Sequence, residues 1–200
     1  MTQIRFINDV IKPWDELNLF LKQDYALQLD LSDVTRMAGQ IAVSLRHQID
    51  FSELKLKEVY QCCPEMEPIV DAGDYWKHGE LRDPARNCEI SSASAFEYSE
   101  GQGFRFIRNK AQLNHPTLGK SDFLEITLVA IHFWIRQHGF SIPWNGSVKE
   151  SGLPFAPTAR LQFDPRYCIQ MDSMNLQMYR STGNGHYEPC DPPLVRFELY

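Results

Sequence analysis

Residues 90–113 read ISSASAFEYSEGQGFRFIRNKAQL, and this stretch gives the clearest indication of the fold class. Two runs rich in strand-forming residues, 90–98 and 104–113, flank the segment Ser-Glu-Gly-Gln-Gly at 99–103. A short glycine-containing segment between two such runs is typical of a β-hairpin, because glycine lets the backbone reverse without steric strain. The sequence therefore predicts a hairpin near the middle of the chain.

The residues before the hairpin have the apolar periodicity of α-helices. Apolar side chains recur at helical spacing in three segments, 14–21, 34–49 and 66–78. Pro13 suits the first turn of the first helix, which we expect to end near Asp24. Ser32 or Asp33 can cap the second helix, and Gly79 is well placed to end the third. These segments predict an N-terminal helical bundle.

The residues after the hairpin predict one more helix and then β structure. Asp122 and Glu125 form a capping box for a helix that ends before Gly139. Three prolines and two glycines in 141–157 indicate a loop. Segments with alternating character follow at 160–163, 167–179 and 194–199, and a turn signal lies at 181–185. The C-terminal part should therefore contain paired strands.

Together these elements predict an α+β fold with an N-terminal helical bundle, a β-hairpin and a C-terminal antiparallel β element. Residues 1–140 would form the bundle with its inserted hairpin. Residues 141–200 would add a loop and C-terminal strands on the same core, so that the chain is one domain. A chain of 200 residues with 43% hydrophobic content is large enough for such a core. Gly39, inside the second helix, is expected to permit close helix packing.

The amino-acid composition indicates which binding partners and which cellular compartment to expect. The chain has 20 Lys and Arg against 26 Asp and Glu, a formal charge of -6, which does not favour a nucleic acid partner. Its longest apolar stretch, 126–135, is far too short to span a bilayer, and no charged leader precedes it near residue 1. Five cysteines, an odd number, favour free thiols in a reducing compartment. We therefore expect a soluble cytoplasmic protein with no membrane contact.

Two of the predicted helices each place ionisable side chains on one face, and these are the candidate site. In the second helix they are Arg46, His47 and Asp50, and in the third Asp71, Asp74, Lys77 and His78. Histidine and carboxylate one turn apart suit metal ligation, proton transfer and ion pairing alike. If the helices pack antiparallel, both sets could meet in one cleft with His47 near His78. The candidate catalytic residues are thus His47, Asp50, Asp71, Asp74, Lys77 and His78.

A structural interpretation of the same residues stays open beside the catalytic one. Asp74 would pair with Lys77 or His78, and Asp50 with Arg46, as ion pairs that orient the helices without chemistry. No cofactor is predicted from the sequence, although the carboxylates and histidines could hold a divalent metal. The sequence leaves open whether the protein is an enzyme.

The stretch LRHQID at 45–50, the Cys63-Pro64 pair and the stretch IVDAGDYWKH at 69–78 resemble a group of uncharacterised bacterial and phage proteins. The shared pattern is a helix ending in His-x-x-Asp, a Cys-Pro break, and a helix with Asp-Ala followed by Lys-His. The helical part is also similar, more loosely, to HEPN-type nuclease and toxin-related proteins. HEPN ribonucleases carry an Arg followed at short spacing by a His, and Arg108-Asn109 through His115 has that spacing.

Two hypotheses on function follow. The first is a non-catalytic module that binds another protein, with the resemblance implying an accessory role in a bacterial or phage defence or conflict system. The second is a metal-dependent or HEPN-like phosphodiesterase or ribonuclease. In it the carboxylates would hold a cation or act as base, the histidines would ligate or shuttle protons, and Lys77 or Arg46 would stabilise phosphate charge. The sequence does not indicate an oligomeric state.

Overall fold

A computed structural model of the protein describes residues 1–22, 31–161, 175–183 and 185–199. The helical elements are α1 (Gln3–Phe6), a π-helical turn (Ile7–Ile11), α2 (Lys12–Leu21), α3 (Leu31–Arg46), α4 (Leu56–Cys62), α5 (Met66–His78) and α6 (Phe123–Gln137), with 3-10 turns at Ile49–Phe51 and Pro84–Arg86. The strands are β1 (Glu89–Ser99), β2 (Gly103–His115), β3 (Gly119–Asp122), β4 (Ala159–Leu161), β5 (Leu176–Gly183), β6 (His186–Pro189) and β7 (Phe197–Leu199). The predicted α+β class is confirmed.

Five strands form one mixed sheet in the order β3-β2-β1-β5-β6. β1 and β2 are neighbours joined by only three residues, which confirms the predicted hairpin because parallel strands need a much longer connection. β2 and β3 are antiparallel, whereas β1 and β5 are parallel. β5 pairs antiparallel with β6, as predicted for the C-terminal part, whereas residues 162–174 of the predicted strands lie outside the described residues. β4 and β7 pair in parallel in a separate two-stranded sheet.

The chain divides into two compact units. The first comprises Met1–Asn18, Ser32–Ser91 and Ala111–Val148, and the second comprises the described residues of Leu19–Leu31, Ser92–Lys110 and Lys149–Tyr200. Each unit is thus assembled from segments that are distant in sequence, and β1 and β2 each pass from one unit into the other. The sequence-based prediction of one shared core for residues 1–140 and 141–200 stays a prediction.

Small residues set the helix spacing in the first unit. A Cβ atom at Gly73 of α5 would lie 3.0 Å from the backbone carbonyl of Ala42, so α5 packs directly against the backbone of α3. Gly39 of α3 leaves room for the indole of Trp76, whose Cε2 would lie 2.7 Å from a Cβ atom at that position. Gly39 therefore permits close helix packing, as the sequence predicts.

The first helix begins earlier than the sequence predicts. Pro13 is the second residue of α2, and helical structure already runs through α1 and the π-helical turn before it. Proline lacks a backbone N–H and its ring crowds the preceding turn of a helix, and the wider π-helical turn accommodates both effects. The predicted end near Asp24 lies outside the described residues.

The second predicted helix and its connection to the third also differ from expectation. α3 ends at Arg46 rather than continuing to residue 49, and a 3-10 turn follows. The short helix α4 then fills the connection for which the sequence predicted no helix. α4 buries only Val59, so it leaves no amphipathic pattern to detect. The third helix, α5, ends at His78, and Gly79 caps it with φ 76°, as predicted.

α6 is the most apolar helix, and Asp122 is its N-cap, as the sequence predicts. The Asp122 side chain accepts a hydrogen bond from the backbone N–H of Leu124 at 3.2 Å, and the helix ends before Gly139. Thr127, buried within it, accepts a hydrogen bond from the indole of Trp14 at 2.9 Å. No helix in the described part of the chain is long and apolar enough to cross a membrane.

The second unit has an aromatic core. Its centre is formed by the buried residues Phe96, Phe104, Phe106, Ala159 and Leu161. The rings of Phe96 and Phe106 meet edge to face, with their centroids 5.3 Å apart. Val195 packs against this cluster, as its place in the alternating pattern predicts. Phe197, which the same pattern places in the core, is instead 46% exposed; among the described strands β7 pairs only with β4.

The adjacent residues Cys62 and Cys63 should differ in thiol reactivity. Cys62 is exposed, whereas Cys63 is buried and its pKa is raised to about 12, first by burial and then by the neighbouring Glu65 carboxylate. The thiolate is the reactive form, and less than about one in a thousand such thiols is ionised at pH 8. We expect maleimide to label Cys62 within minutes and Cys63 only after unfolding, as measured by peptide mass spectrometry in a Cys168→Ser background. Equal labelling rates would contradict the structure.

Candidate functional site

A cleft of ≈ 580 Å³ lies in the first unit. Seven carboxylate or guanidinium side chains line it. The polar and charged residues that line it are Arg46, Asp50, Tyr60, Glu67, Asp71, Asp74, Asp83, Arg86, His115 and Thr117. The end of α3, the helices α4 and α5, the loop after α5 and the end of β2 all contribute, so the cleft exists only in the folded unit.

α5 supplies the two central carboxylates. Asp71 and Asp74 are three residues apart, which places both on one face of the helix. Asp71 lies deeper, with its side chain 6% exposed against 20% for Asp74. The face of α5 that packs on α3 through Gly73 fixes the rotation of the helix, and this directs both carboxylates into the cleft.

His115, the last residue of β2, binds Asp71. Its Nε2 lies 3.1 Å from Asp71 Oδ2, and its Nδ1 lies 3.2 Å and 3.1 Å from the backbone nitrogens of Thr117 and Leu118. A backbone N–H can only donate, so Nδ1 is the acceptor and the proton of the neutral ring is on Nε2, which donates to Asp71. Both ring nitrogens are therefore engaged within the fold.

Arg86 bridges the two aspartates of α5. Its Nε donates to Asp71 Oδ1 at 2.6 Å, and its Nη2 donates to Asp74 Oδ2 at 2.9 Å. Burial lowers the pKa of this guanidinium, but the hydrogen bonds to Asp71 and Asp74 outweigh burial and raise it. The loop that carries Arg86 is itself fixed, because Asp83 accepts from the N–H of Ala85 at 3.1 Å.

Arg46 extends the chain of ion pairs to the end of α3. Its Nε donates to Asp74 Oδ1 at 3.2 Å, and its Nη1 donates to both oxygens of Asp50 at 2.9–3.0 Å. The result is a chain of alternating carboxylates and guanidiniums that ends in a hydrogen bond to the neutral His115 ring. We call it the ion-pair chain, and its members are His115, Asp71, Arg86, Asp74, Arg46 and Asp50. Every carboxylate oxygen of Asp71 and Asp74 has a partner in it.

Two further groups near the ion-pair chain respond to its negative charge. The pKa of the Tyr60 hydroxyl is raised, chiefly by burial and next by the Asp71 carboxylate. Burial, followed by the same carboxylate, raises the pKa of Cys88 to about 12. Neither side chain is therefore an ionised nucleophile at neutral pH.

The structure brings together half of the residues that the sequence singled out. Asp50, Asp71 and Asp74 line the cleft, whereas Lys77 and His78 are exposed and His47 is half-buried outside the lining. Asp50 pairs with Arg46, as the structural interpretation predicts. Asp74 pairs with Arg46 and Arg86 rather than with its helical neighbours Lys77 or His78, because those two side chains turn to solvent. Catalytic roles for the six residues stay a prediction.

Sequence reasoning missed Arg86, and it considered His115 only as the second half of an Arg-His spacing. Arg86 follows the end of α5 in a short turn, and no periodicity marks a loop residue as a partner of a helix. His115 is 44 residues from Asp71. Arg108, the other half of that spacing, is 3% exposed on β2.

Among the described residues, no group of three or more His, Cys, Asp or Glu side chains is arranged to hold a metal ion. Comparison of this chain with models of protein families, with curated proteins and with solved structures found no match.

Proposed function

We propose that the protein is a non-catalytic binding module whose cleft receives a cationic side chain, Lys or Arg, of a protein partner. The observation that carries this proposal is the charge of the lining, five carboxylates against two guanidiniums. Both guanidiniums already pair with aspartates of the ion-pair chain, so the excess charge of the cleft is negative. A cation is therefore attracted and an anion repelled.

Two carboxylates are best placed to bind the incoming cation. Glu67 is exposed, and its carboxylate makes no hydrogen bond with another described residue. Asp83 uses Oδ1 to accept from Ala85, which leaves Oδ2 for a ligand. Tyr60 lines the same cleft, and an aromatic ring attracts a cation that lies over its face. In this proposal the ion-pair chain is the rigid frame, and these side chains make the contacts.

The engagement of His115 supports a binding role over proton transfer. A general base needs a nitrogen within reach of the proton that it removes. Nε2 of His115 donates to Asp71, and Nδ1 accepts from two backbone N–H groups, so neither nitrogen is available to a substrate in this conformation. A phosphodiester would also have to enter against the negative charge of the lining.

The biological setting of the module is a second part of the proposal. An accessory role in a bacterial or phage defence or conflict system rests on the resemblance of the helical stretches at 45–50 and 69–78 to bacterial and phage proteins. A cytoplasmic location is supported by the odd number of cysteines, of which the four described ones are free thiols.

The binding proposal is tested by calorimetry with two peptides of equal length, one rich in Lys and Arg and one in which Glu replaces each basic residue. We expect the basic peptide alone to bind, and more weakly at 500 mM salt than at 50 mM because exposed charges are screened. The Glu67→Gln, Asp83→Asn double variant should lose about fivefold or more in affinity. Glu80→Gln, which removes an exposed carboxylate outside the cleft, is the matched control.

Equal binding of both peptides, or equal affinity of the double variant and the wild type, would contradict the proposed function. The enzymatic hypothesis has its own outcome in the same protein. Hydrolysis of RNA or of a phosphodiester in the presence of Mg²⁺, Mn²⁺ or Zn²⁺ that disappears in Asp71→Asn would replace the binding module with a phosphodiesterase.

A further inference from the structure

A pocket of ≈ 280 Å³ lies in the second unit, at the turn of the β1–β2 hairpin. Its apolar lining consists of Tyr98, Phe104, Pro157 and Leu194. The rings of Tyr98 and Phe104 lie next to each other, with their centroids 5.3 Å apart. The volume is near the lower end of the range of small-molecule sites, so the pocket suits a small ligand with an apolar group.

Backbone contacts hold the pocket in shape. Phe104 and Ala156 form an antiparallel β-bridge, with two N–H to carbonyl hydrogen bonds of 2.7 Å and 2.8 Å. Gly103 packs so closely on the same segment that a Cβ atom there would overlap the carbonyl oxygen of Ala156. The carbonyl of Arg196 accepts from the N–H of Ala159 at 2.8 Å. The backbone around the pocket is thus formed before a ligand binds, which reduces the entropy lost on binding.

Arg196 supplies the charge of the pocket. Val195 packs against the aromatic core, whereas its neighbours Leu194 and Arg196 are exposed and line the pocket. Within the described residues the Arg196 guanidinium makes no hydrogen bond or ion pair. The nearest carboxylate in sequence, Glu198, accepts from the Thr158 hydroxyl at 3.0 Å, and no described carboxylate lines the pocket. The pocket therefore carries a positive charge without a counter-ion of its own.

Three uncharged polar side chains complete the lining. They are the Tyr98 hydroxyl, the Ser99 hydroxyl and the Gln102 amide. In the described part of the chain none of these three groups has a hydrogen-bond partner. Glu100, which lies between them in sequence, is exposed and does not line the pocket. All three side chains can donate a hydrogen bond to an oxygen atom of a ligand.

We propose that this pocket binds a small amphipathic carboxylate, with the carboxylate on Arg196 and an apolar group against Tyr98 and Leu194. A planar guanidinium donates two parallel hydrogen bonds to a carboxylate, which makes it a specific partner for this group. Inorganic phosphate would use the guanidinium but leave the apolar lining empty. The carboxylate belongs to a free acid or to the C-terminal residue of a peptide, since both place it next to an apolar group. No residue of this pocket lines the cleft of the first unit, so the two sites bind through separate side chains.

Titration of the full ¹⁵N-labelled chain with phenylacetate, followed by amide chemical shifts, tests the pocket. We expect saturable shift changes at Gly101, Gln102 and Gly103, which belong to the lining. Phenylacetamide has the same ring without the charge, and acetate has the same charge without the ring, so each should bind at least about tenfold more weakly. Equal affinity for phenylacetate and either control compound, or no saturable change at these three residues, would overturn the proposal.

Substitution of Arg196 tests the role of its guanidinium. Arg196→Gln should lower the affinity for phenylacetate about tenfold or more, because the amide keeps hydrogen-bonding groups but not the charge. Arg196→Lys keeps the charge without the two parallel donors and should bind with intermediate affinity. The matched control is Arg180→Gln, which removes an exposed arginine of β5 outside the pocket and should bind like the wild type. Wild-type affinity in Arg196→Gln, or an equal loss in Arg180→Gln, would overturn the proposal.

Two peptides identify the source of the carboxylate. One is acetyl-Gly-Gly-Phe with a free C-terminal carboxylate, and the other is the same peptide with a C-terminal amide. Binding of the first peptide at least as tight as that of phenylacetate would support the pocket and assign it to a peptide C-terminus. Binding of phenylacetate alone would support the pocket and assign it to a free carboxylic acid. Equal binding of the peptide and its amide, or binding of neither phenylacetate nor the peptide, would overturn the proposal.

Discussion

Replacement of Asp71 by alanine is expected to lower the free energy of unfolding by about 2–3 kcal/mol. The Asp71 side chain is 6% exposed and binds two groups, Arg86 at 2.6 Å and His115 at 3.1 Å. Without the carboxylate, the buried Nε2–H of His115 has no acceptor. Arg86 is 38% exposed and can turn to water, which keeps the loss below that of a fully buried pair. Urea unfolding at pH 7 measures the change.

The matched control for this variant is Asp50→Ala, which removes the other end of the ion-pair chain. The Asp50 side chain is 55% exposed, and within the described part of the chain its carboxylate binds only Arg46. Exposed ion pairs contribute little, so the control should lose no more than about 0.5 kcal/mol. Equal losses in the two variants would show that Asp71 is not the centre of the network.

Gly103→Ala is expected to destabilise the protein by about 3 kcal/mol. Gly103 has φ 92°, a left-handed conformation that costs about 1–2 kcal/mol for a residue with a Cβ atom. That Cβ atom would also overlap the carbonyl oxygen of Ala156 and lie 3.0 Å from Pro157 Cα. The carbonyl cannot move away, because it accepts from the N–H of Phe104 at 2.7 Å. The midpoint of urea unfolding reports the loss.

Gly101→Ala in the same turn isolates the steric part of that effect. Gly101 has φ 82°, but a Cβ atom there would meet nothing within 4 Å. Gly101→Ala should therefore lower the free energy of unfolding only by the cost of the left-handed backbone, about 1–2 kcal/mol. Similar losses in both variants would mean that the segment containing Ala156 does not press against the hairpin.

Most of the fold could be predicted from short sequence patterns, such as turn and helix-cap residues. The glycine-containing segment at 99–103 and its flanking runs predicted the β1–β2 hairpin, because hairpin geometry is determined by residues next to one another. Gly79 and Asp122 marked helix ends for the same reason. α4 was missed since its only buried residue is Val59, and the early start of the first helix was missed because Pro13 normally begins a helix.

The candidate site was only half predictable because it is assembled by tertiary structure. The spacing of Asp71 and Asp74 placed both carboxylates on one face, and helix geometry is sufficient for that inference. Their partners Arg86 and His115 come from a loop and from a strand end, where no periodicity links them to α5. Lys77 and His78 share the helix with the two aspartates but lie at its exposed end.

The most direct test of the proposal that the cleft binds a cation is a titration of ¹⁵N-labelled protein with the basic peptide, followed by amide chemical shifts. The account predicts that the largest shift changes occur at Tyr60, Glu67, Asp83 and Thr117, and that the Glu-substituted peptide causes none of them. No saturable change at these residues, or the same changes with the acidic peptide, would contradict the assignment of the cleft as a site for a cationic side chain.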